Sequence, residues 1–131
     1  GNYLTYSVNK DYFTVSISKP PHIKSRFYSM VYLFGYRYGT DFSSMPKIRL
    51  VMKPDKIVIF DKKKELSLSG VLFKSEKEAL TVSLPWALLD SPDFILSFMK
   101  TSGKDISDRR AFRKIDIDRA TAKKGRNICW N

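Results

Sequence analysis

The sequence predicts an all-β protein, an antiparallel β-sandwich of about nine strands in a jelly-roll or immunoglobulin-like arrangement, with one short helical turn. Three observations predict this class. Apolar and polar residues alternate with period two in short runs, turn-forming residues separate these runs, and no segment keeps a helical period over three turns. The 131 residues suit one domain, and hydrophobic residues make up 43% of them, enough for a packed core.

The first half of the chain contains five predicted strands. The turn Asn9–Asp11 separates the first two, and the third is a long aromatic strand. The fourth and fifth form the clearest hairpin, because Pro54 presets the first central dihedral angle of the turn and Asp55 suits the second position. The five predicted strands cover residues 4–8, 12–18, 27–38, 47–52 and 56–61.

The second half adds four predicted strands, over residues 66–73, 79–85, 94–100 and 111–118. The segment "PWALLDSPD" predicts a short helical turn that Pro92 closes, and "TSGKDISD" predicts a polar loop. Residues 119–131 are basic and contain no acidic residue. We therefore expect a sandwich domain over residues 1–118 and a C-terminal tail that docks through Trp130 and contributes about 1 kcal/mol or less to stability.

Large side chains occupy every second position of the third predicted strand. One face carries Tyr28, Met30, Tyr32, Phe34, Tyr36 and Tyr38, and the other runs from Ser29 to Arg37 through smaller or aliphatic residues. Such a row of rings is either half of a core or a platform for a flat ligand. Strands usually have about 5–6 residues, so this alternation is longer than one buried strand needs.

We therefore expect the first part of this strand, Tyr28–Phe34, to be core and its end to bind a ligand. The predicted ligand-binding residues are Tyr36, Arg37, Tyr38, Asp41 in the following loop, and Trp86. Gly35 permits a bend or a close backbone approach just before them. For Trp86 the alternative is structural, a ring that closes one end of the sandwich.

The net charge of +11 favours an anionic partner such as an acidic polysaccharide or, less favoured, a nucleic acid. Arg109, Arg110 and Arg113 lie close together in the sequence and are a possible anion-binding group. A solvated basic surface is the alternative for these three residues.

The sequence lacks the motifs of the common enzyme classes. His22 is the sole histidine and Cys129 the sole cysteine, too few for a zinc site and far from any nucleophile motif. Neither a phosphate-binding loop nor a dinucleotide fingerprint is present. We expect no catalysis in this chain and no cofactor. Calcium ligands are conceivable at Asp116 with Asp118 and at Asp105 with Asp108, but solvated charges are the favoured interpretation.

The compartment is predicted only indirectly. One thiol cannot form an internal disulfide, and bacterial secreted domains often lack disulfides, so low cysteine content does not argue for the cytosol. No apolar run approaches the ~18 residues of a membrane span. The sequence shows no signal-peptide pattern and begins at Gly1 rather than Met. We expect it to be part of a longer protein, with any targeting signal outside this sequence.

The second half resembles the C-terminal half of DOMON-like sandwiches, which include the family 9 carbohydrate-binding modules and glucodextranase-type C-terminal domains. The similarity is carried by strand "ALTVSLP", a turn with Pro85, Leu88, Leu89 and Pro92, strand "FILSFMK" and closing strand "KIDID". The segment "VYLFGYRYGTDF" is similar to the strand and loop that carry ligand-facing aromatics in such modules. The chain differs from the family 9 modules in lacking their pair of sugar-clamping tryptophans.

This resemblance implies a non-catalytic carbohydrate- or cell-wall-binding module, extracellular or at the cell surface, and accessory to a larger hydrolase or deacetylase. Two alternatives remain. The charge and the aromatic residues also suit a nucleic-acid-binding β domain, since bases stack on rings and phosphates pair with Lys and Arg. A protein-interaction or assembly module is the third hypothesis.

Overall fold

The computed structural model describes residues 4–18, 28–103, 106–109, 113–117 and 126–130. These residues form twelve strands and two short 3-10 helices. The strands are β1 Leu4–Val8, β2 Tyr12–Ser18, β3 Tyr28–Tyr36, β4 Lys47–Met52, β5 Ile57–Asp61, β6 Lys64–Glu65, β7 Leu72–Ser75, β8 Ala79–Pro85, β9 Phe94–Gly103, β10 Ile106–Arg109, β11 Arg113–Asp116 and β12 Arg126–Trp130. The 3-10 helices are Phe42–Ser44 and Trp86–Leu89.

The strands build two antiparallel sheets, which confirms the predicted all-β sandwich class. The first sheet has the order β12-β1-β2-β8-β7. The second has the order β10-β9-β3-β4-β5-β6, and β11 also pairs with β9. None of the helices in the described part of the chain has the length and apolar character needed to cross a membrane.

The core lies between the inner faces of the two sheets. The period-two alternation produces it directly, because every second side chain of β1, β2, β4 and β8 is buried. The first sheet contributes Leu4, Tyr6, Val8, Phe13, Val15, Ile17, Leu80, Val82 and Leu84. The second sheet contributes Val31, Leu33, Ile48, Leu50, Met52, Ile57, Ile59, Ile95, Met99 and Ile115.

Three strands occur beyond the nine that the sequence predicts. The prediction of a polar loop over "TSGKDISD" is wrong. Strand β9 continues to Gly103 and pairs with β10 from Gly103↔Ile106 to Lys100↔Arg109. Strand β6 has two residues, both exposed. Strands β10 and β6 have four and two residues, too few for a period-two pattern to be recognised in the sequence. The predicted strand over residues 66–73 is shorter than expected and shifted to Leu72–Ser75.

The third additional strand, β12, comes from the segment predicted as a basic tail. It pairs along the whole of β1, from Leu4↔Trp130 to Val8↔Arg126. The side chain of Trp130 lies outside the described part, so docking through its ring stays a prediction, as does the division at residue 118. The backbone pairing makes the segment an edge strand of the first sheet.

A buried hydrogen bond joins the two sheets through the core. The hydroxyl group of Tyr6 in β1 bonds to Ser97 Oγ in β9, and both residues are fully buried. Burial raises the pKa of the Tyr6 phenol far above its usual value of 10.0, and the bond to Ser97 opposes this only in part. A mainly apolar core thus carries a paired polar contact between its two sheets, which favours a single register of the sheets.

The Tyr6→Phe variant should therefore lower the free energy of unfolding by about 1–3 kcal/mol, because Ser97 loses its partner in the core. Since the pKa is raised in the folded state, the phenol stabilises the fold below pH 10.0 and progressively less above it. The advantage of the wild type over Tyr6→Phe should shrink above that pH by up to about 1.4 kcal/mol per pH unit. Denaturant unfolding at pH 7 and above pH 10 measures both effects. Tyr12→Phe, on the outer face of β2, is the control, and an equal effect in both variants would contradict the assignment.

Deletion of residues 126–131 should cost more than the sequence-based expectation of 1 kcal/mol. The loss removes the ladder that covers β1, and each lost hydrogen bond contributes a net 0.5–1.5 kcal/mol. We expect a loss of about 2 kcal/mol or more in urea unfolding. Removal of Asn131 alone is the length control. A loss under about 0.5 kcal/mol would show that β12 contributes little, as first expected.

Candidate functional site

The two faces of β3 differ in size and chemistry. Ser29, Val31 and Leu33 are fully buried against the first sheet. Tyr32 and Phe34 are half-buried and point to the opposite side, the outer face of the second sheet. The expectation that the rings of the first part of this strand form the core is therefore wrong. The inter-sheet space takes the small and aliphatic residues, and the aromatic row faces outward.

Neighbouring strands extend this outer face with further rings and with basic residues. In the pairing registers Tyr32 stands between Phe98 of β9 and Arg49 of β4. Phe34 stands between Leu96 and Lys47, and Tyr36 faces Phe94. Tyr32 stacks on Phe98 with ring centroids 4.8 Å apart and meets the edge of Phe34 at 6.5 Å. Cross-strand pairs of this kind stabilise the sheet while leaving a flat surface.

Four rings form an aromatic patch at one end of the outer face: Tyr36, Tyr38, Phe42 and Phe94. Tyr36 stacks on Phe94 at 4.8 Å with an interplanar angle of 10°. The ring centroid of Phe42 lies 5.7 Å from that of Tyr36, and the ring centroid of Tyr38 lies 5.7 Å from that of Phe94. Tyr38 is 73% exposed and Phe42 52% exposed, values that are unusual for rings of this size.

Two lysines border the aromatic patch. Lys47 Nζ lies 4.2 Å from the centroid of Phe42 and donates to the carbonyl oxygens of Phe42 and, at 3.1 Å, Met45. Desolvation of the ammonium group, followed by the nearby charge of Lys62, lowers the pKa of Lys47. Lys114 Nζ lies 4.6 Å from the centroid of Phe94. Ammonium groups over ring faces are attracted by the ring quadrupole, so the patch combines aromatic surface with positive charge.

The segment after β3 is tied to the loop before β9. Arg37 Nη1 donates to Asp90 Oδ2 at 3.1 Å. The Tyr38 amide donates to Asp93 Oδ2 at 2.8 Å, and the Asp93 amide donates to the Tyr36 carbonyl oxygen at 2.7 Å. Asp93 therefore holds the backbone on both sides of Arg37, which fixes the backbone position from which the Tyr38 ring projects.

Gly35 allows the second 3-10 helix to approach this end of β3. A Cβ atom at Gly35 would lie 2.7 Å from the Leu89 carbonyl oxygen, closer than any real contact. Its amide donates to the Pro46 carbonyl oxygen at 3.2 Å. The close approach predicted for this glycine is thus present, and it brings Asp90 and Asp93 within reach of Arg37 and Tyr38.

The structure places four of the predicted ligand-binding residues at this end of the second sheet. Tyr36 and Tyr38 belong to the aromatic patch, and Arg37 lies between them in an exposed ion pair. Asp41 is exposed at the start of the 3-10 helix Phe42–Ser44, where its carbonyl oxygen accepts the Ser44 amide at 3.0 Å.

Trp86 lies against the first sheet instead. Its Nε1 donates to the Asn9 carbonyl oxygen at 2.8 Å, and its ring is 5.8 Å from Phe13. The ring is half-buried and packs on the core. These contacts agree with the alternative interpretation of Trp86 as a ring that closes one end of the sandwich.

The possible anion-binding arginines are only partly described. The backbone of Arg109 ends β10 opposite Lys100, and Arg110 lies outside the described residues. Arg113 begins β11 and is exposed. Their grouping into an anion site stays a prediction.

Calcium ligands are likewise described only in part. The described residues contain no group of three or more His, Cys, Asp or Glu side chains that could hold a metal ion. Asp116 forms an ion pair with Lys114, in which Oδ1 and Nζ are 3.4 Å apart. Asp105, Asp118 and the side chain of Asp108 lie outside the described part of the chain.

Sequence reasoning missed six residues of the outer face: Phe42, Lys47, Arg49, Phe94, Phe98 and Lys114. The alternation of Phe94, Leu96 and Phe98 was a usable signal, since it predicts a second strand with large outward side chains. The pairing of β9 with β3 was the missing information, and period-two patterns do not specify which strands are neighbours.

Comparison of the chain with protein-family models, with curated proteins and with solved structures gives no match. The candidate site is therefore defined by its geometry: an exposed aromatic patch, bordered by lysines, on the outer face of an antiparallel sheet.

The close approach at Gly35 yields a stability prediction. Gly35→Ala should lower the free energy of unfolding by about 1–3 kcal/mol, because the new methyl group meets backbone that must move. Gly39→Asn is the control, since Gly39 has a φ of +79°, which Asn tolerates, and open space around its Cβ position. Urea unfolding of both variants measures the difference. Equal stabilities would show that Leu89 can withdraw freely and that the approach is not tight.

Proposed function

We propose that this chain is a non-catalytic carbohydrate- or cell-wall-binding module, accessory to a larger hydrolase or deacetylase and located outside the cell or at its surface. The observation that carries this proposal is the aromatic patch, in which Tyr38 and Phe42 are more than half exposed beside the stacked pair Tyr36 and Phe94. Large aromatic rings are usually buried, so exposed rings at the end of a sheet indicate a surface that binds a ligand or another molecule.

Exposed rings on a rigid sheet suit sugars for a chemical reason. One face of a pyranose ring consists of C–H groups and packs on an aromatic ring, while its hydroxyl groups need hydrogen-bond partners at the rim. Tyr38 supplies both a ring and a hydroxyl group. Arg37 and Asp41, both exposed, lie one and three residues from Tyr38 in the sequence and offer donors and acceptors.

Preorganisation supports the same proposal. Asp93 fixes the backbone around Tyr38, and Phe94 fixes the ring of Tyr36 by stacking. Binding of a ligand to these residues therefore costs little conformational entropy, because their backbone and the Tyr36 ring are already ordered. The net charge of +11 favours glycans that carry acidic groups.

Nucleic acid binding is the second candidate, because stacked rings and cations on a sheet also suit bases and phosphates. RNA-recognition domains of the common kind use a four-stranded sheet, and OB-folds have five strands. The described residues form two sheets of five and seven strands. This difference favours the glycan over the nucleic acid, and the two differ in the salt dependence of binding.

The Tyr38→Ala variant should weaken glycan binding about two- to twelvefold, because one stacking contact contributes about 0.5–1.5 kcal/mol. The Tyr36→Ala/Tyr38→Ala double variant, which removes both rings, should abolish binding. Titration calorimetry against neutral glycans, chitin fragments, peptidoglycan fragments and polygalacturonate measures the effect. Leu72→Ala is the control, since Leu72 is 55% exposed on β7 of the other sheet.

The stability of Tyr38→Ala should stay within about 0.5 kcal/mol of the wild type, as expected for an exposed position. Glycan binding that survives the double variant would contradict the proposed site. Binding to single-stranded DNA alone, with steep loss on addition of salt, would favour the nucleic-acid candidate. Association of the protein with itself alone, lost in the double variant, would favour an assembly module.

A further inference from the structure

Arg49 lies in the middle of the outer face of the second sheet. Its strand, β4, is paired on both sides, with Tyr32 of β3 and Phe60 of β5 as its register partners. The guanidinium carbon lies 4.5 Å from the centroid of the Phe60 ring. The residue is half-buried. Contact with Phe60 restricts the guanidinium group, so its donors are held in place before any ligand arrives.

Arg49 has no anionic partner within the described residues. Arg37 pairs with Asp90 and Lys114 pairs with Asp116, but none of the ion pairs there includes Arg49. Its Nε is buried and has no hydrogen-bond partner in that part of the chain. Glu65 of β6 follows Phe60 in the same row of the sheet and forms no ion pair with Arg49 either.

Because protein atoms cover Nε, a ligand reaches the guanidinium group at its two Nη atoms, which have no partner within the described residues. A guanidinium group presents its donors in a planar fork that fits the two oxygens of a carboxylate or sulfate group. Beside the fork, Tyr32 and Phe98 form a stacked pair with centroids 4.8 Å apart. A flat apolar surface next to an unpaired cation matches a sugar ring that carries an acidic substituent.

The same face connects Arg49 to the aromatic patch. Tyr32, Phe34 and Tyr36 follow one another at every second position of β3, so Tyr32 and Tyr36 are about 13 Å apart along the strand. That distance is longer than one sugar ring. A ligand that reaches both Tyr38 and Arg49 must therefore be a chain of several sugar units that runs along β3.

We propose that Arg49 binds the carboxylate or sulfate group of an acidic polysaccharide that lies along β3 from the aromatic patch to the level of Tyr32. The inference rests on the proposed carbohydrate-binding function and adds the chemical class of the glycan. Charge complementarity supports this occupant, since Lys47, Arg49 and Lys114 all lie on this face.

The test compares three variants of the full chain. Arg49→Met keeps an apolar stem over Phe60 but removes the charge and the fork, and Arg49→Lys keeps the charge but loses the fork. Lys77→Met is the matched control, because Lys77 is an exposed cation in the turn between β7 and β8 of the other sheet. The probes are polygalacturonate for carboxylate, dextran sulfate for sulfate, unmodified dextran for neutral glucan and a single-stranded oligothymidylate. Calorimetry at low and at physiological salt gives each affinity.

We expect the wild type to bind polygalacturonate or dextran sulfate, and the preferred polymer identifies the acidic group. Arg49→Met should weaken that binding at least tenfold, Arg49→Lys about threefold or more, and Lys77→Met less than twofold. Binding to neutral dextran, where it occurs, should not change in any variant. Melting curves of all three variants accompany the titrations.

Four results would overturn the inference. Equal losses in Arg49→Met and Lys77→Met would assign the effect to net charge alone. Binding of neutral glycans without binding of either acidic polymer would leave the carbohydrate-binding function standing and remove the role of Arg49. Binding of the oligothymidylate without binding of acidic glycans would favour a nucleic-acid ligand. Unfolding of both Arg49 variants would assign that residue a structural role.

Discussion

The contact between β3 and the second 3-10 helix is the constraint on which the candidate site depends. A side chain at Gly35 would collide with the Leu89 carbonyl oxygen, so this point of the inner face has room for backbone only. Just before it, Val31 and Leu33 fill the space between the sheets. The inner face of β3 therefore has no place for large rings, and the alternation of the strand sends the side chains of Tyr32, Phe34 and Tyr36 outward. The outward position of these aromatic side chains therefore follows from packing in the core and does not depend on a ligand.

The same contact also positions the segment that follows β3. Because the helix lies against Gly35, the loop after it reaches the end of β3, where Asp90 pairs with Arg37 and Asp93 holds Tyr36 and Tyr38 through the backbone. The Arg37–Asp90 pair is exposed on both sides, and pairs of that kind contribute little to stability. The bonds to Asp93 use backbone groups and fix geometry more firmly. Order at the aromatic patch thus comes mainly from Asp93.

Period-two alternation was sufficient to predict the sandwich class and most of the strands, because burial of one face per strand imposes it. The turn at Trp86 was predicted from its local sequence, which ends at Pro92. It was not sufficient to predict which face of β3 is buried. Both faces of that strand are apolar enough for a core, and the choice follows from volume between the sheets, which depends on distant residues such as Leu89. Phe94 and Arg49 were missed for a related reason: their position beside Tyr36 and Tyr32 exists only after β9, β3 and β4 have paired. Strands β10 and β12 have four and five residues, and their pairing with β9 and β1 is likewise not contained in the local sequence.

The two lysines of the aromatic patch differ in how they would respond to a ligand. Lys47 is held by the carbonyl oxygens of Phe42 and Met45, so its ammonium group stays over the Phe42 ring. Lys114 pairs with Asp116 across an exposed 3.4 Å contact, which water replaces at little cost. A sugar ring can therefore displace Lys114 from the face of Phe94, whereas it must accommodate Lys47. The fixed lysine and the fixed guanidinium group of Arg49 stand two residues apart on β4, about 7 Å along the strand, and any acidic ligand has to match that spacing.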